Sequence, residues 1–284
     1  MIDLANPAQI KALLARHGFH FSKALGQNFL INPSVCPRMA ALCGAEEAAG
    51  VLEIGPGIGV LTAELARRAK KVVALELDTR LPPVLAETLA DFSNVKVVQG
   101  DAMEIDLAAL IAEEFDGPVA VCANLPYYIT SPILMRLLES RLPVTAVTVM
   151  VQKEAAARIC AAPGSREAGA ISLAVRYYAT PRVLFDVSAG SFLPRPQVDS
   201  CVIRLDLHEQ PPVAVRDEAL LFRVVRAAFA QRRKMLRSAL PAGLGLPKER
   251  VSAALHTASV DESLRGERLT LADFARVADA LAEE

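Results

Sequence analysis

The chain has 284 residues, 52% of them hydrophobic and 22% charged. That is enough apolar material for one large α/β domain with a small partner, or for two ordinary domains, and it excludes a disordered or collagen-like chain. Lys and Arg number 31 against 32 Asp and Glu, a formal net charge of −1. Taken whole, this balance argues against a nucleic-acid binder, whose phosphate-binding surface usually shows as a basic domain. The five cysteines (Cys36, Cys43, Cys122, Cys160 and Cys201) are scattered and form no CxxC spacing, so buried thiols in a reducing cytosol are expected rather than disulfides or a zinc site. The start MIDLANPAQIKALL shows no basic segment followed by an apolar one, and no apolar run reaches the ~20 residues of a spanning helix. A soluble, cytoplasmic protein is expected.

In chain order, the first element reads as a helix with Asn6 as cap and Pro7 at its first position. Ile10, Leu13 and Leu14 share one face before Gly18 stops the run. A polar, basic connector follows, HGFHFSKALGQNFLINP, with a second helix expected from Asn32 as cap and Pro33 at its first position. From residue 50, β-branched runs alternate with helical stretches. Strands are expected at 51–54, 72–77, 95–99, 119–125 and 145–151, with helices such as 59–69 and 79–90 between them. Such alternation predicts βαβ units and a doubly wound, mostly parallel sheet. Runs at 182–187 and 201–207 are spaced like a terminal strand pair around a loop rich in Pro and Gly. HEQPPVAVRD at 208–217 reads as a linker, since Pro211-Pro212 continues neither kind of element. Beyond it the pattern is helical, giving an α/β domain over 1–207 and a small helical domain over 208–284.

Between the first strand and its helix, residues 53–59 read Glu-Ile-Gly-Pro-Gly-Ile-Gly. Glycines there allow a sharp turn and close backbone approach to a ligand at the carboxyl end of a strand. A structural tight turn is the plain alternative. The GxGxG spacing is not the GxGxxG of dinucleotide enzymes, and no Lys-Ser/Thr pair follows to make a P-loop. Glu76, ending the second strand, is placed to accept both hydroxyls of a ribose. Asp101, after the third strand, can accept a hydrogen bond from the exocyclic amine of an adenine. Together these suggest a cofactor that carries adenosine.

The fourth strand ends in Asn124-Leu125-Pro126-Tyr127. The amino group of adenine or cytosine is a poor nucleophile because its lone pair is delocalised into the ring. The Asn124 side-chain oxygen and the Leu125 carbonyl can accept its two hydrogens and stabilise the charge that develops on attack. Tyr127 can stack on the flipped base, and Pro126 stiffens the turn.

With these motifs in hand, the chain resembles the ribosomal RNA adenine dimethyltransferase family that acts on the small subunit. The segments that carry the resemblance are LGQNFL at 25–30, LEIGPGIGVLT at 52–62, ELD at 76–78, GDAM at 100–103, NLPYYITSP at 124–132, FLPRPQVDS at 192–200 and AFAQRRKMLRSAL at 228–240. The resemblance implies a Rossmann-like class I methyltransferase sheet and S-adenosylmethionine as cofactor. It also implies transfer of two methyl groups to N6 of each of two adjacent adenosines near the 3′ end of 16S rRNA, with a role in small-subunit biogenesis. It assigns Gln27, Asn28 and Leu30 to the cofactor, with Glu53, Gly55, Gly57, Glu76, Leu77, Asp101, Ala102 and Asn124. It places Phe192 on the target adenine opposite Tyr127.

The stretch 222–237, FRVVRAAFAQRRKMLR, holds Arg223, Arg226, Arg232, Arg233, Lys234 and Arg237 and no acid, so the rest of the chain sums to −7. Phe222, Val225, Phe229, Leu236 and Leu240 form an apolar stripe at helical spacing. Six unpaired cations beside it are expected to track an RNA backbone; Arg16, His17, His20 and Lys23 extend the basic character. No histidine spacing suggests a metal, and none is expected. The expected partner is 16S rRNA in the 30S subunit or its precursor, bound by a monomer away from any membrane. The rival readings are a 23S rRNA methyltransferase that confers antibiotic resistance, a non-enzymatic assembly or transcription factor on the same fold, and a nicotinamide dehydrogenase, which the glycine spacing disfavours.

Overall fold

A computed structural model describes residues 2–20 and 26–282. Its elements in chain order begin with α1 (Pro7–Arg16), β1 (Phe29–Leu30), α2 (Val35–Leu42), β2 (Val51–Ile54), α3 (Val60–Ala66) and β3 (Val72–Glu76). Then come α4 (Pro82–Thr88), β4 (Val95–Gln99), α5 (Leu107–Glu114), β5 (Val119–Asn124), α6 (Thr130–Glu139) and β6 (Val144–Gln152). Next are α7 (Lys153–Ile159), α8 (Ala170–Tyr178), β7 (Ala179–Val187), β8 (Phe192–Leu193) and β9 (Ser200–Leu207). The last four helices are α9 (Glu218–Ala230), α10 (Leu236–Leu244), α11 (Lys248–Thr257) and α12 (Leu271–Ala282).

The chain forms two compact units, one of residues 1–156 and 181–207, the other of 157–180 and 208–284. In the first unit a seven-stranded sheet runs β4-β3-β2-β5-β6-β9-β7. β2, β3, β4, β5 and β6 are parallel, and β9 enters antiparallel to β6. The central strands are continuous apolar runs because helices cover both faces: every residue of VLEI in β2 and VVALE in β3 is buried. The order reverses at β2 and β5, which opens a crevice beyond their carboxyl ends.

Local chemistry sets the boundaries. Asn6 caps α1 by accepting from the N–H groups of Ala8 (2.9 Å) and Gln9 (3.4 Å), as the sequence predicts. The second helix starts later than expected, at Val35 with Ser34 before it. Asn32 instead makes a turn ahead of the helix, its side chain accepting from the Ser34 N–H at 3.0 Å. β1 and β8 form a two-stranded ribbon absent from the sequence reading, pairing Phe29 with Leu193 and Leu30 with Phe192.

In the second unit, α8 packs with α9. The Tyr177 and Tyr178 hydroxyls donate to Glu218 at 3.0 and 2.6 Å, and the Tyr178 ring stacks on Phe222 at 5.6 Å. This corrects the sequence boundary at 207: residues 157–180 belong with the C-terminal helices, because α8 carries the aromatic face that α9 needs. No helix among the described residues is long and apolar enough to cross a membrane.

Candidate active site

Beyond the carboxyl ends of β2, β3 and β5 lies a cavity of about 310 Å³, within the range of small-molecule pockets. Every residue that the sequence nominated for cofactor or target lines it: Gln27, Asn28, Leu30, Glu53, Gly55, Gly57, Glu76, Leu77, Asp101, Ala102, Asn124, Leu125, Pro126, Tyr127 and Phe192. Segments from opposite ends of the first unit thus converge at one crevice.

The loop after β2 depends on glycine geometry. Gly55 and Gly57 have φ of +73° and +59°, a region that side chains with a Cβ avoid. A Cβ on Gly57 would stand 3.1 Å from the Phe29 ring. The Gly57 N–H donates to Glu76 Oε2 at 3.2 Å and the Asp78 N–H to Glu76 Oε1 at 2.8 Å. These two bonds fix the Glu76 carboxylate beside the glycine loop, while burial raises its pKa. Asp101 is held in the same way, accepting from the Met103 N–H at 2.7 Å. Leu77 is half exposed beside them.

Glu53 is different. It is 1% exposed, and neither carboxylate oxygen makes a hydrogen bond of good geometry among the described residues, although the nearby Thr62 hydroxyl partly offsets its burial. Burial pushes its pKa up to about 8, so the free protein holds this side chain as the neutral acid near neutral pH. An orphaned buried polar group facing a cavity fits a ligand that supplies hydrogen bonds there.

The Asn124 amide is oriented by its own neighbour. Its Nδ2 donates to the Asn28 carbonyl at 3.4 Å, and among the described residues no hydrogen bond engages Oδ1. Oδ1, the acceptor expected for a target amine, is therefore the end left open. Asn28 Nδ2 in turn donates to the Gly26 carbonyl at 3.0 Å. Tyr127 is half-buried, and its hydroxyl shares a 2.8 Å hydrogen bond with Ser200 Oγ. Ser200 itself is fully buried at the start of β9. Phe192 is 3% exposed and packs in the core with Leu30 and Val202 while lining the cavity. Among the described residues, its ring makes no stacking contact with Tyr127.

Several of these features escape sequence reasoning. Gln27 lines the cavity, but its amide donates to Asp78 Oδ2 at 2.8 Å. Asp78 also accepts from Arg80 Nε and Nη2 at 2.8 and 2.6 Å, which holds its pKa down to about 2. Arg80 reaches the His20 carbonyl at 3.2 Å, so this ion pair ties the N-terminal segment to the pocket rim. The Asp of the ELD triplet was the available signal. Ser200 was visible only as the last letter of FLPRPQVDS.

The basic stretch of the second unit needs two corrections. It is not one helix: α9 ends at Ala230 and α10 begins at Leu236. The break is set by carbonyls from a later loop, which satisfy the new helix's first N–H groups, Leu236 N donating to Leu264 O at 2.8 Å and Arg237 N to Glu262 O at 3.1 Å. The apolar stripe nonetheless buries Phe222, Val225, Leu236 and Leu240 across that break. Nor are all six cations unpaired. Arg232 Nη2 donates to the Arg166 carbonyl at 2.6 Å and lies 4.0 Å from Glu267 Oε2. Arg223, Arg226, Arg233, Lys234 and Arg237 are exposed and make no ion pair among the described residues. In the first unit, Arg16 and His17 both pair with Glu87, so they add less free positive charge than their sequence implies. Lys23 lies outside the described residues.

Comparison with known proteins agrees with this geometry. A family model described as ribosomal RNA adenine dimethylase matches residues 18–283. The ribosomal RNA small subunit methyltransferase A of Geobacillus thermodenitrificans is 48% identical over 285 residues, covering 98% of this chain and 97% of its own. That of Lysinibacillus sphaericus is 47% identical over 284 residues, with 98% and 97% covered. Among solved structures, a dimethyladenosine transferase from Plasmodium falciparum superposes with a TM-score of 0.75 at 25% identity, covering 87% of this chain and 95% of that one. The 23S rRNA methyltransferase ErmE gives 0.68 at 27% identity, covering 90% and 100%. The doubly wound sheet is the class I methyltransferase fold, and with the family's match extending across both units, the chain belongs to the ribosomal RNA adenine dimethylase family.

Proposed function

We propose that the chain transfers methyl groups to N6 of two adjacent adenosines near the 3′ end of 16S rRNA, dimethylating each and contributing to small-subunit biogenesis. The observation that carries this reading is the orientation of Asn124, whose amide is fixed by the Asn28 carbonyl so that Oδ1 faces its task as an acceptor. S-adenosylmethionine, when bound, supplies a methyl group already activated on a sulfonium centre.

The residues present suit that cofactor. Glu76 accepts from its ribose hydroxyls and Asp101 from its adenine amine, with Leu77 and Ala102 against the ring. Gly55 and Gly57 leave room for its close approach, and Glu53 offers an unsatisfied carboxyl group. Asn124 Oδ1 and the Leu125 carbonyl accept the two hydrogens of the target amine. They draw its nitrogen towards tetrahedral geometry and stabilise the positive charge of attack. Tyr127 and Phe192 hold the flipped base between aromatic surfaces, and Pro126 keeps the acceptors aimed. Holding donor and acceptor in line supplies much of the remaining rate.

Arg223, Arg226, Arg233, Lys234 and Arg237 bind RNA phosphates, with Arg232 acting chiefly within the fold. The catalytic role belongs to the first unit and RNA binding to the second, within a cytoplasmic monomer. The likeness to ErmE supports 23S rRNA as a second substrate reading, but the relatives at 47–48% identity over nearly the whole chain favour the small subunit. Labelled S-adenosylmethionine with unmethylated 30S and, separately, 50S subunits decides between them. Dimethyladenosine at two neighbouring positions of 16S rRNA is expected; label only in 50S, or none, refutes the reading.

A further inference from the structure

Two tyrosines stand side by side on the turn after β5, and the mechanism above uses one of them. The turn is tight: the Ile129 N–H and the Thr130 hydroxyl both donate to the Pro126 carbonyl, at 3.1 and 3.3 Å. Consecutive side chains on it leave in different directions. Tyr127 turns inward, half-buried, its hydroxyl engaged by Ser200. Tyr128 turns outward and is 59% exposed, the most exposed large hydrophobic side chain among the described residues. No hydrogen bond or ion pair involving it occurs among the described residues, yet it still lines the same cavity.

Its position is backed, not loose. Gly26, at φ +59°, lies under the ring: a Cβ there would sit 3.5 Å from the Tyr128 Cδ1 and Cε1 atoms and 3.3 Å from Pro126 Cβ. Gly26 is itself held by the Asn28 side chain, and Asn28 by Asn124. One side of the ring therefore rests on backbone tied to the acceptor residue, and the rest faces solvent at the mouth of the cavity. An exposed aromatic ring held at the mouth of a cavity is suited to be a stacking platform for an unpaired base.

We infer that Tyr128 is a subsite for the nucleotide adjacent to the target adenosine, its ring stacking on that neighbouring base while the target base enters the cavity. This inference rests on the substrate reading above and extends it. When one of the two adjacent adenosines is the target, the other stands at that place, and a purine offers the larger face for stacking. Tyr128 would thus set the register of the RNA rather than take part in transfer.

The test uses the full chain and a fluorescein-labelled single-stranded RNA with two adjacent adenosines, read by anisotropy. Tyr128→Ala should weaken binding about tenfold, while Tyr128→Phe and Tyr128→Trp, which keep an aromatic face, bind like the parent. With an RNA whose base next to the target is abasic, the parent and Tyr128→Ala should bind alike. S-adenosylmethionine affinity should fall by less than RNA affinity in Tyr128→Ala, and an equal loss of both would overturn the inference. The inference is overturned if Tyr128→Ala binds the intact RNA normally, if the aromatic variants fail to rescue, or if the abasic RNA preserves the difference. Whether the parent labels 30S subunits is a separate readout, so loss of the substrate reading and loss of this subsite cannot be confused.

Discussion

The cavity of the first unit and the basic turn of the second handle polarity in opposite ways. At the cavity, nearly every functional polar group is anchored by another: Glu76 by two backbone N–H groups, Asn124 by Asn28, Tyr127 by Ser200. Along α9, α10 and the turn between them, Arg232 is the one of the six cations whose side chain is anchored among the described residues, and the other five are exposed. The difference fits what the proposed function asks of each region. Transition-state stabilisation needs dipoles that are already aimed, because reorienting them during the reaction raises the barrier. Phosphate binding needs mobile charges that displace counterions from a backbone of variable path.

The largest effect should come from removing an aimed acceptor. Asn124→Ala is expected to lower kcat by about 10²–10³, with 30S affinity close to that of the parent. A comparable loss of affinity would merge the two regions' roles. Next, the Arg233→Ala, Lys234→Ala, Arg237→Ala triple variant should bind 30S more weakly and flatten the plot of log affinity against log salt by about 2 units, at about 0.7 per phosphate contact for single-stranded RNA. Its rate at saturating 30S should match the parent.

A smaller effect concerns the support of Tyr127. Ser200→Ala and Tyr127→Phe each remove one hydroxyl of the same hydrogen bond, for a cost of about 1 kcal/mol, or several-fold in kcat/KM. The double variant should be no worse than either single one, because both break a single interaction. Additive losses would mean that the two hydroxyls act separately.

The last effect is a slope in stability and leaves the rate aside. The native Glu53 pKa of about 8 lies above its ordinary 4.5, so between those values the native state keeps a proton that the unfolded chain releases. Stability should therefore fall as pH rises from about 5 to 8. Glu53→Gln cannot ionise and should show a flatter profile in denaturant titrations of the free protein; an unchanged slope would assign the dependence elsewhere.

Much of this comparison was legible in the sequence. The parallel strands announced themselves as β-branched runs because both sheet faces are covered, and the site motifs fall where those strands end. What stayed hidden depends on partners distant along the chain. Phe29–Leu30 and Phe192–Leu193 pair as a ribbon of two residues each, too short to show any period. The break between α9 and α10 interrupts no apolar stripe, so only the carbonyls of Glu262 and Leu264 reveal it. Likewise, nothing in QRRK distinguishes Arg232 from its neighbours until Glu267 and the Arg166 carbonyl lie beside it. The segment 157–180 joined the wrong domain in the sequence reading because its partner, Glu218, comes after the intervening strands.

The central claim, that aimed dipoles perform the transfer and free cations hold the RNA, is tested most directly by single-turnover methylation of saturating 30S subunits. Parent, Asn124→Ala and the triple cation variant would be compared side by side. The account predicts a near-parental rate constant for the cation variant and a collapse for Asn124→Ala; a parental rate constant in Asn124→Ala, or a collapsed one in the cation variant, would contradict it.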